Sequence, residues 1–204
     1  MNRTFSCVLV LVLSGILFFS SAPATMAAEA GPFYVGVFGG WVMPKDLEPE
    51  DGDDIALKDS WALGAKVGYI IPQVRWLAVE LDYAYLAKQD VDEPGADGDF
   101  KASNLMVNLI FRYPEGKIRP YIGGGLGWSW GSFKASSAAG SIDESDNALA
   151  WQLLAGVNFE ITPQWSADLG YRYFYCKYSL NDGTEDFDVK AKDHMILIGV
   201  NFHF

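Results

Sequence analysis

The chain has 204 residues, with 15 Lys and Arg against 26 Asp and Glu for a formal charge of −11, long enough for one sizeable domain or two very small ones. That balance excludes a nucleic-acid binder, because neutralising phosphates takes a basic patch. Hydrophobic residues at 50%, charged residues at only 20% and 21 glycines also exclude an acidic disordered segment, so the negative charge must be concentrated in part of the chain.

The first element reads as a secretory signal peptide over residues 1–28. Arg3 gives a positive start, the run from Cys7 to Phe19 is apolar apart from Ser14 and Gly15, and small residues follow at Ala22, Ala24, Ala27, Ala28 and Ala30. That core is well short of the roughly 20 apolar residues a membrane-spanning helix needs. Cleavage after Ala27, Ala28 or Ala30 satisfies the small-residue rule equally. Cys7 leaves with the peptide and lies too early for lipid attachment. The mature domain, 29–204, then keeps only Cys176 and is expected to have no internal disulfide although it is exported.

From Phe33 onward no stretch shows a 3.6-residue apolar stripe, and period-two alternation takes its place. A Gly-rich run from Phe33 to Val42 opens the series. Next, Trp61, Leu63, Ala65, Val67, Tyr69 and Ile71 alternate with Ala62, Gly64, Lys66, Gly68 and Ile70. Leu77, Val79, Leu81, Tyr83 and Tyr85 oppose Ala78, Glu80, Asp82, Ala84 and Leu86; Leu105, Val107, Leu109 and Phe111 oppose Asn104, Met106, Asn108 and Arg112. Ile122, Leu126, Trp128 and Trp130 face away from Tyr121 and Gly123, and Trp151, Leu153, Val157 and Phe159 away from Gln152, Leu154 and Glu160. The last two segments set Trp165, Leu169, Tyr171, Tyr173 and Tyr175 against Asp168, Arg172 and Cys176, and Ile196, Ile198, Val200, Phe202 and Phe204 against Met195, Leu197, Asn201 and His203. Eight strands are therefore predicted. Three connections are tight and marked by Pro72, Pro114 and Pro163, whereas four are long, at about 43–59, 87–98, 134–147 and 179–192. Short turns at one end and long loops at the other predict an all-β fold, an eight-stranded antiparallel up-and-down transmembrane β-barrel.

A soluble eight-stranded barrel would alternate as well, and three features favour the membrane. The polar face is Gly, Ala, Asn and Ser with few charges, which suits a narrow lumen filled by side chains. The tryptophans cluster at strand ends: Trp41, Trp61, Trp128, Trp130 and Trp151 near the long-loop rim, Trp76 and Trp165 near the other, where an indole buries its ring and keeps its N–H wet. Tyr83, Tyr85, Tyr173 and Tyr175 are expected in the upper girdle, and Tyr69, Phe111, Tyr113 and Phe159 in the lower. Third, Lys66, Arg112, Arg119 and Arg172 share the small-residue face with Glu80, Asp82, Glu160 and Asp168, an equal number of each sign. Ions in a confined lumen are tolerated when paired, and a neutral network is expected to stand in for a hydrophobic core.

These residues resemble the OmpA-like and OmpX-like eight-stranded outer-membrane proteins, the outer membrane protein β-barrel domain family. The resemblance is carried by Phe33-Tyr34-Val35-Gly36, by Arg119-Pro120-Tyr121-Ile122-Gly123-Gly124-Gly125-Leu126-Gly127, by Leu169-Gly170-Tyr171-Arg172-Tyr173 and by Asn201-Phe202-His203-Phe204. It implies a last strand read by the outer-membrane assembly machinery through Phe202 and Phe204, termini in the periplasm, and long loops outside the cell. Cell-wall anchoring, which belongs to a separate domain of full-length OmpA-type proteins, is not carried over.

Catalytic chemistry finds little support. His194 and His203 read as an interfacial residue and a lumen filler, and the outward Ser and His of lipid A-deacylating barrels are missing, since Met195 and Ile196 follow His194. No phosphate loop or metal spacing is present, so no catalytic, cofactor or metal residues are expected. Cys176 reads as a small buried filler. The first two loops are acidic through Glu48, Glu50, Asp51, Asp53, Asp54, Asp90, Asp92, Glu93, Asp97 and Asp99. Divalent cations bridging to lipopolysaccharide phosphates are one reading of them and a solvated surface the other. Over 43–59, 87–99, 134–147 and 179–193 the sequence carries 20 acids and 6 bases, so these regions hold −14 while the rest of the chain is positive. The expectation is a monomer in contact with outer-membrane lipids, with a closed lumen and a structural or surface-interaction role. A narrow porin-like channel is the alternative, and a lipid A-modifying enzyme a more distant one.

Overall fold

Alternating side chains make strands whose two faces meet different surroundings, and here the strands close on one another so that one face lines an interior. They are β1 Phe33–Pro44, β2 Ser60–Ile70, β3 Leu77–Asp90, β4 Asp97–Arg112, β5 Ile118–Ser137, β6 Gly140–Glu160, β7 Trp165–Asn181 and β8 Asp186–His203. Each pairs antiparallel with its neighbours in sequence, and β8 pairs with β1 to close the barrel. A two-residue strand, Glu48–Pro49, adds to β8 opposite Lys190 and Val189. This computed structural model describes residues 31–44, 48–49, 59–90, 97–137, 140–181 and 186–204. The expected signal peptide and the acids Glu50, Asp51, Asp53, Asp54, Asp92 and Glu93 lie outside the described residues.

The register fixes the shape. Stepping from Tyr34 through Gly68, Glu80, Asn108, Gly125, Gln152, Phe174 and Asp193 returns to β1 at Pro44, a stagger of ten residues. On eight strands this means a tilt of roughly 35–45° and an interior just wide enough for side chains. Every residue on that path lies at an inward position of the register. Outward positions are apolar and exposed, such as Ile198 at 66% and Ile122 at 64%, while Met106 and Met195 inside are at 0%. So continuous an apolar wall is far larger than water tolerates on a monomer.

The structure differs from the expected connections at 134–147 and 179–192. β5 and β6 stay paired out to Ser137 and Gly140, and β7 and β8 to Asn181 and Asp186. Beyond the apolar wall both faces of a hairpin meet water, so a backbone ladder forms without leaving alternation in the sequence. The predicted second loop is also shorter, because β3 and β4 pair from Gln89–Phe100 to Asp90–Asp99 beyond a bulge after Leu86. At the opposite end the turns are compact: a 3₁₀ turn at Pro72–Val74, a turn through Gly116 with φ of 76°, and one in which Thr162 Oγ1 accepts from the Trp165 N–H at 3.0 Å.

Where backbones approach most closely the lumen demands glycine. A Cβ on Gly127 would sit 2.0 Å from the Leu105 carbonyl oxygen, whereas one on outward-facing Gly124 would meet nothing nearer than 3.6 Å. Gly127→Val is expected to lower the unfolding free energy by about 1–3 kcal/mol or more, read from urea titration of micelle-refolded protein, with Gly124→Val staying near wild type.

Candidate functional site

The lumen is filled in two layers. Toward the long-loop end, Val42, Leu86, Met106, Phe174 and Met195 are completely buried among Ala62, Ala84, Ala102, Ala150 and Cys176. Within this layer Ser129 Oγ donates to Asn104 Oδ1 and lies 2.6 Å from the Tyr178 hydroxyl, while Asn104 Nδ2 has no hydrogen-bond partner among the described residues. A hydrophobic core therefore does exist inside the barrel, contrary to the expectation that a charge network would replace it. Leu86, Met106 and Met195 occupy inward positions that flank polar ones, so the polar parity of the strands hid them.

Below this layer lies the charge network. Arg172 donates to both oxygens of Asp82 at 3.3 Å from Nη1 and Nη2, and Gln152 Nε2 donates to Asp82 Oδ2 at 3.1 Å, with Asn108 Nδ2 as a further donor. The Arg172 guanidinium also sits 5.0 Å from the centre of the Phe38 ring, a cation–π contact strengthened by desolvation. One strand pair lower, Lys66 lies 3.3 Å from both Glu80 and Asp168. The two carboxylates are steadied by tyrosines, with the Tyr34 hydroxyl donating to Glu80 at 2.8 Å and the Tyr121 hydroxyl to Asp168 at 2.7 Å. Nearest the short turns, Arg119 pairs with Glu160 and donates from Nε to the Gly116 carbonyl at 2.8 Å. Arg112 lines the lumen in the same region and makes no ion pair with a described residue.

Between these pairs lies a cavity of about 60 Å³, lined by Tyr34, Lys66, Glu80, Arg112, Arg172 and Asn201 among others. At ~10–15 Å³ per water this admits a few molecules. Arg172 Nε, Asn158 Oδ1 and Asn201 Oδ1, which have no hydrogen-bond partner among the described residues, belong to residues lining it. Charged and amide side chains thus line this half of the lumen beneath a mainly apolar layer.

Two histidine contacts escaped sequence reasoning. His203 Nε2 lies 3.0 Å from Ser166 Oγ, while Asn158 and Asn201 donate their amides to the same oxygen at 2.9 and 3.3 Å. With its lone pairs taken, the hydroxyl must donate to His203, and a buried serine so engaged has no lone pair or room for attack. His194 lies on the outer wall with Nδ1 2.6 Å from the Tyr171 hydroxyl. Both pairs join different strands, so only the register reveals them. Among the described residues no group of His, Cys, Asp and Glu gathers as a metal site.

On the outer wall Trp41, Trp61, Trp76, Trp128, Trp130, Trp151 and Trp165 are all exposed. Trp151 stacks on Tyr175 at 5.4 Å and Trp76 on Phe111 at 5.9 Å between ring centres, at opposite ends of the strands. Phe202 packs on Trp165 at 5.0 Å and Phe204 on Phe33 at 6.1 Å. The Phe204 N–H also donates to the Phe33 carbonyl at 2.9 Å, which seals the lower end of the β1–β8 seam.

The model of the outer membrane protein beta-barrel domain family matches residues 11–204. Among solved structures, Neisserial surface protein A aligns over its whole length with 87% of this chain at a TM-score of 0.61 and 22% identity. Ail, the attachment invasion locus protein of Yersinia pestis, does so over 87% at 0.55 and 24% identity, and is also known in complex with the heparin analogue sucrose octasulfate. Both likenesses are of fold. A Brucella abortus protein described as uncharacterized is 27% identical, covering 59% of this chain and 53% of its own length; the chain thus spans about half the length of the curated relatives it matches.

The Asp82–Arg172 pair is almost wholly desolvated, with side-chain exposures of 0% and 4%. Removing one partner strands the other charge, so Asp82→Leu is expected to cost about 3–5 kcal/mol, and Asp82→Leu with Arg172→Met to recover most of it. Denaturant titration in micelles of the two single variants and the double variant measures this directly.

Proposed function

The chain belongs to the outer membrane protein beta-barrel domain family and lies in the cell outer membrane, and we propose that it acts there as a plugged, non-enzymatic barrel with an acidic crown. The observation that carries this reading is the dry layer of Val42, Leu86, Met106, Phe174 and Met195, each at 1% exposure or less, across the long-loop half of the lumen. Ions crossing the barrel would have to pass these side chains without hydration, while the polar cavity beneath ends against them. The short turns and the first and last strand residues, Phe33 and His203, face the periplasm, the long connections face the exterior, and the seven tryptophans anchor the barrel at the two interfaces. Phe202 and Phe204, on the last strand, are what the assembly machinery reads.

A closed barrel leaves no free strand edge within the hydrocarbon, which supports a monomer surrounded by lipid. The crown then sets the class of surface partner. At −14 over 43–59, 87–99, 134–147 and 179–193 it repels a sulfated polyanion such as the one held by Ail. It favours cationic surfaces or divalent cations bridging to anionic ones. The role is structural and surface-facing, and the porin-like reading requires the dry layer to open.

Planar-bilayer recording tests the plug. Wild type is expected to stay closed, and Phe174→Ala with Met195→Ala to admit small ions. A wild type that conducts steadily, with the double variant no different, would overturn the proposal. Protease treatment of intact cells is expected to cleave only within 43–59, 91–96, 138–139 and 182–185.

A further inference from the structure

One lumen cation stands apart from the others. Lys66 has Glu80 and Asp168, Arg119 has Glu160 and Arg172 has Asp82, whereas Arg112 makes no ion pair with a described residue. The carboxylates nearest to spare are already engaged. Tyr34 donates to Glu80 at 2.8 Å, Tyr121 donates to Asp168 at 2.7 Å, and Lys66 lies 3.3 Å from both. Arg112 ends β4 opposite Tyr121, and the same row runs on through Gly156 and Gly170. A Cβ on those glycines would come within 2.5 and 2.7 Å of the Tyr121 hydroxyl. Two strands therefore add no side chain at this level, which leaves room for the Tyr121 ring and for the cavity that Arg112, Tyr121 and Arg172 line together.

The residues lining the cavity lack partners of both kinds. Arg172, at 3% exposure, has a donor to spare in Nε, while Asn158 and Asn201, at 9% and 2%, each have a spare acceptor in Oδ1. Turning either amide over would not help. Asn158 Nδ2 donates to Ser166 Oγ at 2.9 Å and to the Ala167 carbonyl at 3.4 Å, and Asn201 Nδ2 donates to Ser166 Oγ at 3.3 Å, bonds that a flip would give up. Buried groups left in this state carry a desolvation cost that an occupant removes. Together with Arg112 they specify one that is negative, accepts from guanidinium groups and donates to amide oxygens. Water lacks the charge, and chloride and sulfate lack the donor at neutral pH. Inorganic phosphate has both, since it keeps an O–H there. A cavity of about 60 Å³, room for a few waters, takes a small tetrahedral oxyanion and no acyl chain, which points to the free ion over a lipid headgroup.

We propose that this lumen cavity is a binding site for inorganic phosphate, with Arg112 and Arg172 Nε donating to its oxygens and Asn158 and Asn201 accepting from its hydroxyls. Entry is from the short-turn end, where Arg112 and Arg119 are only half-buried and Arg75 and Lys117 on the adjoining turns are exposed. Exposed cations at a mouth raise the local concentration of anions. The orientation given above opens that mouth to the periplasm, but the site itself holds whichever way the barrel faces.

The test follows the side-chain Nε–H signals of Arg112 and Arg172 by heteronuclear NMR of micelle-refolded protein at neutral pH. Sodium phosphate or sodium sulfate is titrated in at constant ionic strength. Phosphate is expected to shift both signals saturably. Sulfate is expected to bind about tenfold more weakly or worse, because it sets bare oxygens against the two amide oxygens. Arg112→Gln is expected to lose about tenfold or more of the phosphate affinity, and Asn201→Ala to narrow the preference for phosphate over sulfate. Arg75→Gln is expected to stay within about twofold of wild type, since an exposed charge is screened. Heat-modifiable gel migration reports whether each variant is folded. An Arg172 signal in wild type that phosphate leaves unmoved overturns the site. So does a folded Arg112→Gln with wild-type affinity, and so does equal affinity of wild type for phosphate and sulfate.

Discussion

Closure of the backbone ladder between β8 and β1 is the constraint from which the rest follows. In hydrocarbon an unpaired N–H or carbonyl costs several kcal/mol, so the first and last strands must meet. They do so from Tyr34–His203 to Pro44–Asp193. Once eight strands close with a ten-residue stagger, the interior radius is no longer free. Glycine at 125 and 127, and alanine at 62, 84, 102 and 150, are consequences of that radius, as is the need to fill the remaining volume with side chains that satisfy one another.

The lumen meets that need by dividing the work. An apolar layer with Phe174, Met106 and Met195 fills the long-loop half of the lumen, and the charges gather in the other half. The order matters energetically. Asp82 lies deepest in the network at 0% exposure and has donors from Arg172, Gln152 and Asn108 around it, because desolvation of a carboxylate is offset only when most of its lone pairs are used. Nearer the open end, Arg119 and Glu160 keep side-chain exposures of 17% and 25%, and Arg112 can be solvated without a partner. Pairing thus tightens with depth, as the local cost of a charge rises.

How far the chain was legible as a sequence depended on whether a face was buried. Between the two aromatic levels the membrane imposes alternation, so Trp61 to Ile70 or Leu77 to Leu86 could be read strand by strand. Above that level both sides of a hairpin meet water, and residues 134–137 and 186–192, which lie in strands, left no periodic trace. Parity identified which charged residues share the lumen face, but not who meets whom. Lys66 bonding to two carboxylates, and Tyr34 and Tyr121 steadying them, depend on registers between strands far apart in sequence. The dry layer was missed for a related reason: Leu86, Met106 and Leu197 are apolar on the face that otherwise reads as polar, and only closure turns scattered apolar positions on seven strands into one contiguous cluster.

Charge in this barrel is sorted by depth. Within the hydrocarbon span there is no counterion outside, so ions point inward and find each other. Further along the same strands the outward positions of β7 and β8 carry Lys177, Lys190 and Lys192. Past these levels the long connections are rich in acids. A basic band beneath an acidic crown would be frustrated in a soluble domain, where the two would collapse together. On a closed barrel the ladder of paired strands holds the two at separate heights.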